Sequence, residues 1–338
     1  MTAPTTIDIA QSTPTGGAIA RIVMAHYALG DVAHCVLMRR GYNQVYELRF
    51  ADGRQAVARL CVDRPRGAPN TAYETAMLWH LKAAGAPVAA PLAARDGAAS
   101  IDLPLPEGPR PLVLFEHLPG EWPGESVPDT EATGRGLALL HELAQGYAGP
   151  PSLYQLDLPD LLRAPLQQLC AAPAMDDGLR ADYTALAERL DERITALLPT
   201  LTRVACHGDC HGANNFMSDG PDGTRVASFF DFDDTGPGLL AYELCVYLWN
   251  NLPRKVDGVL DEAGLMRWRH YLAGYRSVRP LAQADVDAIA AFLTVRQFWI
   301  MGETAGRYAT WGTQTMPTSQ LRRVLKIMEY WASFKTPE

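Results

Sequence analysis

The sequence predicts an α+β fold, in which a small part rich in β-strands is followed by a larger, mainly helical part. Residues 45–50 and 55–62 alternate apolar and polar side chains around a turn-forming Asp-Gly pair, as in a β-hairpin. The C-terminal part instead repeats apolar residues at helical spacing, for example at Val286, Ile289 and Leu293. We therefore expect a sheet early in the chain and helices after it.

The composition excludes several classes of protein. The chain has 338 residues, of which 48% are hydrophobic and 20% charged, as is typical of a globular protein. Its net charge of −8 argues against broad binding to nucleic acid or to an anionic membrane. No apolar run reaches the ~18 residues of a transmembrane helix, and the N-terminus lacks a secretory signal. Six scattered cysteines predict reduced thiols and a cytoplasmic protein.

The remaining elements of the first part follow from local patterns. Apolar spacing predicts helices over residues 19–29 and 71–84, and strands over residues 98–103 and 111–117. This part is therefore a small sheet with one inserted helix.

A change of composition divides the chain. Leu118-Pro119-Gly120 interrupts the strand pattern. We expect a flexible N-terminus over residues 1–17, an N-terminal lobe over residues 18–118 and a C-terminal lobe over residues 119–338.

One strand-rich segment interrupts the helical part and carries the candidate chemistry. Residues 215–217 and 226–230 flank a turn rich in Gly and Asp, which predicts a hairpin. Asn214 and Asp231 are about equally far from that turn, so strand pairing brings them side by side, near Asp209. Such oxygen ligands suit a hard cation such as Mg²⁺, whose remaining ligands are often water and phosphate. An Asp, four intervening residues, an Asn and a later Asp match the arrangement that protein kinases use.

Two other interpretations of this segment remain open. Cys206, His207, Cys210 and His211 could bind zinc, but their spacing does not give the two separated pairs of a structural zinc site. Alternatively, His207 is a hydrogen-bonded core residue and the aspartates cap turns.

The motifs His207-Gly208-Asp209-x-His211-x-x-Asn214 and Phe230-Asp231-Phe232-Asp233-Asp234 resemble those of the aminoglycoside phosphotransferase and choline kinase-like superfamily. The form that these two motifs take here is most similar to that of the bacterial stress-response kinase branch. The resemblance implies a protein-kinase-like bilobal fold. It also implies Asp209 as the catalytic base, Asn214 and Asp231 as ligands of Mg²⁺ or Mn²⁺, His207 as a structural support and His211 as a positioning residue.

The same resemblance assigns a nucleotide site to the N-terminal lobe. Asn43 lies in the turn expected to cover the phosphates, and Arg59 stands on the third strand, where the family more often has Lys. Glu74 would pair with Arg59. Two alternatives stay open: Arg59 is a surface strand residue, or Glu74 completes a capping box with Thr71. Backbone groups from Glu116 to Leu118 would bind adenine.

The substrate side is expected beyond the metal ligands. Asp233 and Asp234 follow Asp231 directly, and Arg296, Trp299 and Glu303 share one face of a helix. Aromatic rings with acids suit an ammonium group. Arg296 adds the alternative of a substrate carboxylate. Three further alternatives are a core role for Trp299, a solvent-exposed Glu303 that pairs with Arg307, and Asp234 as a cap of the next turn.

These features predict a kinase that moves the γ-phosphate of ATP to a hydroxyl of a small, amine-bearing molecule. Two alternatives remain: a Ser/Thr protein kinase of the stress-response type, and a nucleotide-binding pseudokinase that regulates a partner.

Overall fold

A computed structural model describes residues 7–312 and 316–337 of the chain. Its first part is a five-stranded antiparallel sheet with the strand order β1-β2-β3-β5-β4. The strands are β1 (Val32–Arg40), β2 (Gln44–Phe50), β3 (Gln55–Leu60), β4 (Ile101–Leu105) and β5 (Gly108–Glu116). The early sheet that the alternating pattern predicts is therefore present.

The sequence pattern misses β1. The side chains of β1 are mostly exposed or half-buried, so the strand lacks the regular apolar face that the pattern requires. Strand β4 begins three residues later than predicted. The two edge strands are thus the ones that periodicity locates least well.

Two helices pack against this sheet. Helix α1 (Gly16–His26) and helix α2 (Thr71–Ala83) correspond to the two predicted helices. Residues of α1 join a small apolar core on one face of the sheet. Residues of α2 belong to the large core that also contains the C-terminal helices. Apolar packing therefore continues across residue 118, and the division into lobes there stays a prediction.

The second part is mainly helical, as predicted. A single π-helical turn, Pro159–Arg163, leads into α4. The helices are α3 (Val127–Leu143), α4 (Ala164–Cys170), α5 (Asp177–Leu197), α6 (Leu240–Asn251), α7 (Glu262–Arg276), α8 (Gln283–Trp311) and α9 (Thr318–Ala332). Within the described residues, no helix has the length and apolar character needed to cross a membrane.

Two short antiparallel strand pairs lie between α5 and α6. Strand β6 (Arg203–Cys206) pairs with β9 (Gly236–Leu239), and β7 (Asn215–Asp219) pairs with β8 (Arg225–Phe229). In the second pair Asn215 is opposite Phe229, so the residues just outside it, Asn214 and Phe230, meet at the open end. This register agrees with the predicted hairpin.

Close contact between α3 and α7 supports this hairpin from behind. A Cβ atom on Gly134 of α3 would overlap the backbone carbonyl of Tyr271 in α7. A Cβ atom on Gly136 would lie 2.7 Å from the ring of Phe229, on β8. Helix α3 therefore needs glycine to approach both neighbours.

We predict that Gly134→Ala lowers the free energy of unfolding by about 1–3 kcal/mol, because the backbone of α7 must move to admit the methyl group. Gly178→Ala in α5 is the matched control, since Gly178 is exposed and its Cβ would have space. Its gain in helix propensity should leave stability equal or raise it by up to about 1 kcal/mol. Urea unfolding of the two variants measures the difference, and equal stabilities would contradict the packing argument.

Candidate active site

The loop of residues 207–214 connects β6 to β7 and carries the predicted base. Glu243 of α6 lies beneath it and accepts hydrogen bonds from the backbone N–H groups of His207 and Gly208, both at 3.0 Å. Burial raises the pKa of Glu243 to about 7, against the effect of these two bonds. Gly208 has a φ of +86°, and a Cβ atom there would overlap the carbonyl oxygen of Asp234. Glu243 is therefore a support of the loop and not part of a substrate pocket.

Both ring nitrogens of His207 form hydrogen bonds. Nδ1 accepts the backbone N–H of Asp209 at 3.3 Å, so Nε2 carries the proton and donates it to the carbonyl of Phe230 at 3.0 Å. Burial lowers the pKa of His207, which keeps the ring neutral. The ring links the loop to the end of β8 and has no nitrogen left for zinc. Within residues 7–312 and 316–337, no cluster of three His, Cys, Asp or Glu side chains is placed to hold a metal.

Asp209 is held on three sides. Arg296 of α8 forms an ion pair with its carboxylate, and Asn214 Nδ2 donates to Oδ2 at 3.1 Å. His211 Nε2 lies 3.5 Å from the same oxygen. Burial favours the neutral form, but Arg296 and His211 outweigh it, so the pKa of Asp209 lies below its usual value. The group is an ionised carboxylate at neutral pH.

Arg296 therefore does not have the role that its sequence position suggested. Its guanidinium contacts Asp209, the carbonyl of Gly208 at 3.1 Å and the hydroxyl of Tyr242 at 2.8 Å. With these partners it orients the loop, and it is not free to bind a substrate carboxylate.

Asn214 and Asp231 lie together at the open end of the β7–β8 hairpin. The N–H of Phe230 donates to the carbonyl of Asn214 at 3.0 Å, which brings the two segments into register. The side-chain NH₂ of Asn214 is bonded to Asp209, so its oxygen remains as an acceptor. Asp231 has a φ of +63°, a conformation that is uncommon for residues other than glycine and that concentrates at functional sites. An amide oxygen beside a carboxylate fits a hard divalent cation.

Arg59 and Glu74 form a buried ion pair between β3 and α2. Arg59 also lies 3.7 Å from Asp231 and 3.9 Å from Asp233. Burial excludes the interpretation of Arg59 as a surface residue. The capping box is also absent, because Asn70 precedes the helix and the Thr71 hydroxyl has no hydrogen-bond partner among the described residues.

Asp233 and Asp234 are neutralised by arginines that the sequence pattern did not single out. Arg64 pairs with both carboxylates, and Arg66 pairs with Asp234 at 2.6 Å. Asn43 donates to Asp233 Oδ2 at 2.9 Å. Burial opposes ionisation of Asp234, but Arg66 and Arg64 hold its pKa well below the usual range. These two acids are therefore not free to bind an ammonium group.

Two cavities meet at these residues. The first, of about 380 Å³, lies between the sheet and the hairpin and has a largely apolar lining that includes Val57, Phe115 and Leu118. The second, of about 640 Å³, opens toward α8 and contains Asp209 and Glu303. The side chains that line both cavities are Arg39, Val45, Arg59, Trp122, Ala213, Asn214 and Asp231. A ligand that passes from the first cavity to the second therefore passes the cation Arg59 and the oxygens of Asn214 and Asp231.

The predicted adenine contacts lie on the first cavity. Glu116 and Leu118 both line it. The N–H of Glu116 already donates to the carbonyl of Ala90 at 2.9 Å, so that group is not available to a base. Adenine contacts from other backbone groups between Glu116 and Leu118 stay a prediction, to which the Glu116 N–H does not contribute.

Several residues of the site were not predicted because their signal lies in the tertiary structure. Arg64 and Arg66 follow β3 and find partners some 170 positions later in the chain. Tyr42 donates its hydroxyl to the carbonyl of Glu303, which closes the β1–β2 turn against α8. Trp122, which is 62% exposed, stands edge-on to Phe216 at the mouth of both cavities. The available hint was local: Arg64 and Arg66 flank Pro65 in the turn that follows β3.

The chain was compared with families, sequences and structures already known. A model of the phosphotransferase enzyme family matches residues 38–281. An uncharacterised protein of Deinococcus radiodurans is 36% identical over 314 residues, which cover 93% of this chain and 89% of that protein. A homoserine kinase of Gluconacetobacter diazotrophicus is 31% identical over 239 residues, which cover 65% and 67% of the two chains.

Solved structures show the same fold at lower identity. A microcompartment-associated aminopropanol kinase has a TM-score of 0.67 at 22% identity and covers 94% of this chain and 95% of its own. An amicoumacin kinase in complex with AMP-PNP, Ca²⁺ and Ami has a TM-score of 0.70 at 19% identity, with 94% and 93% covered. The choline kinase LicA of Streptococcus pneumoniae has a TM-score of 0.63 at 13% identity, with 94% and 99% covered.

The chain belongs to the phosphotransferase enzyme family and has the protein-kinase-like fold of its aminoglycoside phosphotransferase and choline kinase members. As a member of this family, it is a phosphotransferase. The protein-kinase and pseudokinase alternatives are not favoured.

We predict that Arg59→Ala raises the KM for ATP and lowers kcat, with a loss in kcat/KM of about 100-fold, because charge placed near phosphates acts strongly in a desolvated site. Arg59→Lys keeps the charge and should lose less. Steady-state kinetics with varied ATP measures the effect. Arg54→Ala, at an exposed arginine outside both cavities, is the matched control. Identical kinetics for the two Arg59 variants and the wild type would show that Arg59 is remote from the phosphates.

Proposed function

We propose that the protein transfers the γ-phosphate of ATP to a hydroxyl group of a small, amine-bearing molecule. The observation that carries this proposal is the meeting of the two cavities at Arg59, Asn214 and Asp231, with the ionised carboxylate of Asp209 just beyond. The first cavity suits a nucleotide base, and the second suits an acceptor.

In this proposal Asp209 accepts the proton of the acceptor hydroxyl. The hydroxyl oxygen forms a bond to the γ-phosphorus, the bond from that phosphorus to the β–γ bridging oxygen breaks, and ADP leaves. The hydrogen bonds from Asn214 and the ion pair with Arg296 orient the carboxylate. The proton then passes to solvent.

Asn214, through its side-chain oxygen, and Asp231 would hold Mg²⁺ or Mn²⁺. When bound, the cation would supply positive charge against the negative phosphates. Arg59 lies 3.7 Å from Asp231 and would add a fixed positive charge beside the triphosphate.

The amine preference rests on Glu303. Its carboxylate is buried in the second cavity, and its Oε2 atom has no hydrogen-bond partner in the described part of the chain. An ammonium group would supply a hydrogen-bond donor to this oxygen. Relatives with the names homoserine kinase, aminopropanol kinase and choline kinase act on molecules that carry both a hydroxyl and an amine or ammonium group, which supports the proposal.

The cytoplasmic location stays a prediction, and the six free thiols support it.

We predict that Asp209→Asn keeps the fold and binds ATP but lowers kcat by about 10²–10⁴-fold, the usual contribution of a positioned base. Release of ADP in a coupled assay measures it. Asp222→Asn, at the far turn of the same hairpin, is the control and should behave as wild type, because Asp222 is remote from both cavities. An Asp209→Asn enzyme with normal turnover would rule out the assigned base.

A second prediction concerns the cation. Activity should require Mg²⁺ or Mn²⁺, and Asp231→Ala should abolish it by removing a ligand. Titration of the metal in the kinetic assay, before and after treatment with a chelator, gives the result. Activity that disappears with a zinc-selective chelator and ignores added Mg²⁺ would contradict the hard-cation site.

A further inference from the structure

Glu303 and Arg307 are opposite charges one turn apart on the face of α8 that borders the second cavity. They could neutralise each other, yet neither forms an ion pair with the other or with any described residue. Only 6% of Glu303 is exposed, and its Oε2 atom is unpartnered. Burial raises the pKa of Glu303 despite the nearby charges of Arg66, Arg64 and Arg307, so a ligand that supplies an ammonium group would favour the ionised carboxylate.

Arg307 is held in place without being neutralised. Its guanidinium lies over the ring of Tyr42 at 3.6 Å and near Trp311 at 5.2 Å. Its Nε atom is buried and has no hydrogen-bond partner among the described residues. An arginine stacked on an aromatic ring can still donate hydrogen bonds from its N–H edge, and that edge matches a carboxylate.

The other arginines that line the second cavity either form ion pairs or lie at its junction with the first cavity. Arg59, Arg64 and Arg296 each pair with Asp or Glu side chains. Arg39 lies at the junction with the first cavity, where nucleotide phosphates are expected. Among the arginines that line this cavity, Arg307 is therefore the one available to bind an acceptor.

The positions along α8 set the order of the binding groups. Arg296 contacts Asp209, and Glu303 and Arg307 follow about two and three turns later, each turn rising about 5.4 Å. Helical side chains lean toward the N-terminus, so the ends of Glu303 and Arg307 lean back toward Asp209. An acceptor with its hydroxyl at Asp209 thus meets first an acid and then a base.

We infer that the acceptor is a small hydroxy-α-amino acid, whose ammonium group binds Glu303 and whose carboxylate binds Arg307. This inference rests on the proposed function and narrows it. An amino alcohol would leave the guanidinium of Arg307 unused, and a hydroxy acid would leave Glu303 buried without a partner. The zwitterion satisfies both.

The test compares each amino acid with its decarboxylated and deaminated analogues. One series is L-homoserine, 3-aminopropan-1-ol and 4-hydroxybutanoate, and the second is L-serine, ethanolamine and 3-hydroxypropanoate. In the series whose amino acid has the higher kcat/KM, that amino acid should exceed both analogues in kcat/KM by at least about 10-fold. Each analogue lacks one hydrogen-bonded charge pair, and the loss of such a pair has an effect of that size.

Two variants separate binding from a structural role. Arg307→Gln should lower the ratio of kcat/KM for the amino acid to that for the amino alcohol by about 10–100-fold. Glu303→Gln should lower kcat/KM for both amines relative to the hydroxy acid. A purely structural effect would lower all acceptors alike and leave the ratios unchanged. Arg189→Gln, an exposed arginine on α5 outside the cavities, is the control.

The outcomes distinguish this inference from the proposed function. Equal kcat/KM for an amino acid and its amino alcohol in the wild-type enzyme would overturn the inference and leave the proposed function intact. Failure of every amine-bearing compound in both series would contradict the proposed function as well. The comparison of acceptors needs only the wild-type protein, so it remains decisive if a variant does not fold.

Discussion

The site depends on one cluster of ion pairs, in which arginines from the sheet side meet aspartates of the hairpin side. The guanidinium of Arg59 lies within 4 Å of the carboxylates of Asp231 and Asp233. Arg64 pairs with Asp233 and Asp234, and Arg66 pairs with Asp234. Arg59, Asp233 and Asp234 are buried, so each of these charges needs its partner. Breaking such a buried pair costs about 3–5 kcal/mol. The cluster thereby fixes the sheet over the hairpin and sets the junction between the two cavities.

A second set of contacts fixes the loop of Asp209 from the opposite side. Glu243 of α6 holds two of its backbone N–H groups, and Arg296 of α8 holds the carboxylate of Asp209 and the carbonyl of Gly208. Asp209, the proposed base, is thus positioned by helices that come much later in the chain. Helix α8 also places Glu303 and Arg307 on the second cavity, so the proposed base and the proposed acceptor groups depend on the same helix.

The parts of this site that the sequence predicted are those that local rules control. Strand pairing around one turn was enough to bring Asn214 and Asp231 together, because the register of a short hairpin is set by its own turn. Arg59 and Glu74 were predicted from the family resemblance, and the order of strand and helix favoured their pairing. The alternative was that Glu74 completes a capping box with Thr71. The chain does not form that box, because α2 begins one residue earlier than the motif requires, and Glu74 pairs with Arg59 instead.

The parts that the sequence did not predict depend on distant packing. Binding of a substrate carboxylate was one alternative for Arg296, and only the approach of α8 to the loop shows that it pairs with Asp209. Asp233 and Asp234 were expected to be free acids, and only the chain after β3 shows that arginines cover them. Strand β1 was missed because an edge strand with little buried surface has no strong pattern. In each case the deciding partner is far away in sequence.

A crystal structure with AMP-PNP and Mg²⁺ tests the central claim most directly, namely that the two cavities form one path for the phosphate. The account predicts the base in the first cavity, the triphosphate beside Arg59, the metal on Asn214 and Asp231, and the γ-phosphate facing Asp209. A metal bound instead by Asp233 and Asp234, with Arg64 and Arg66 displaced, or a triphosphate that points away from Asp209, would contradict it.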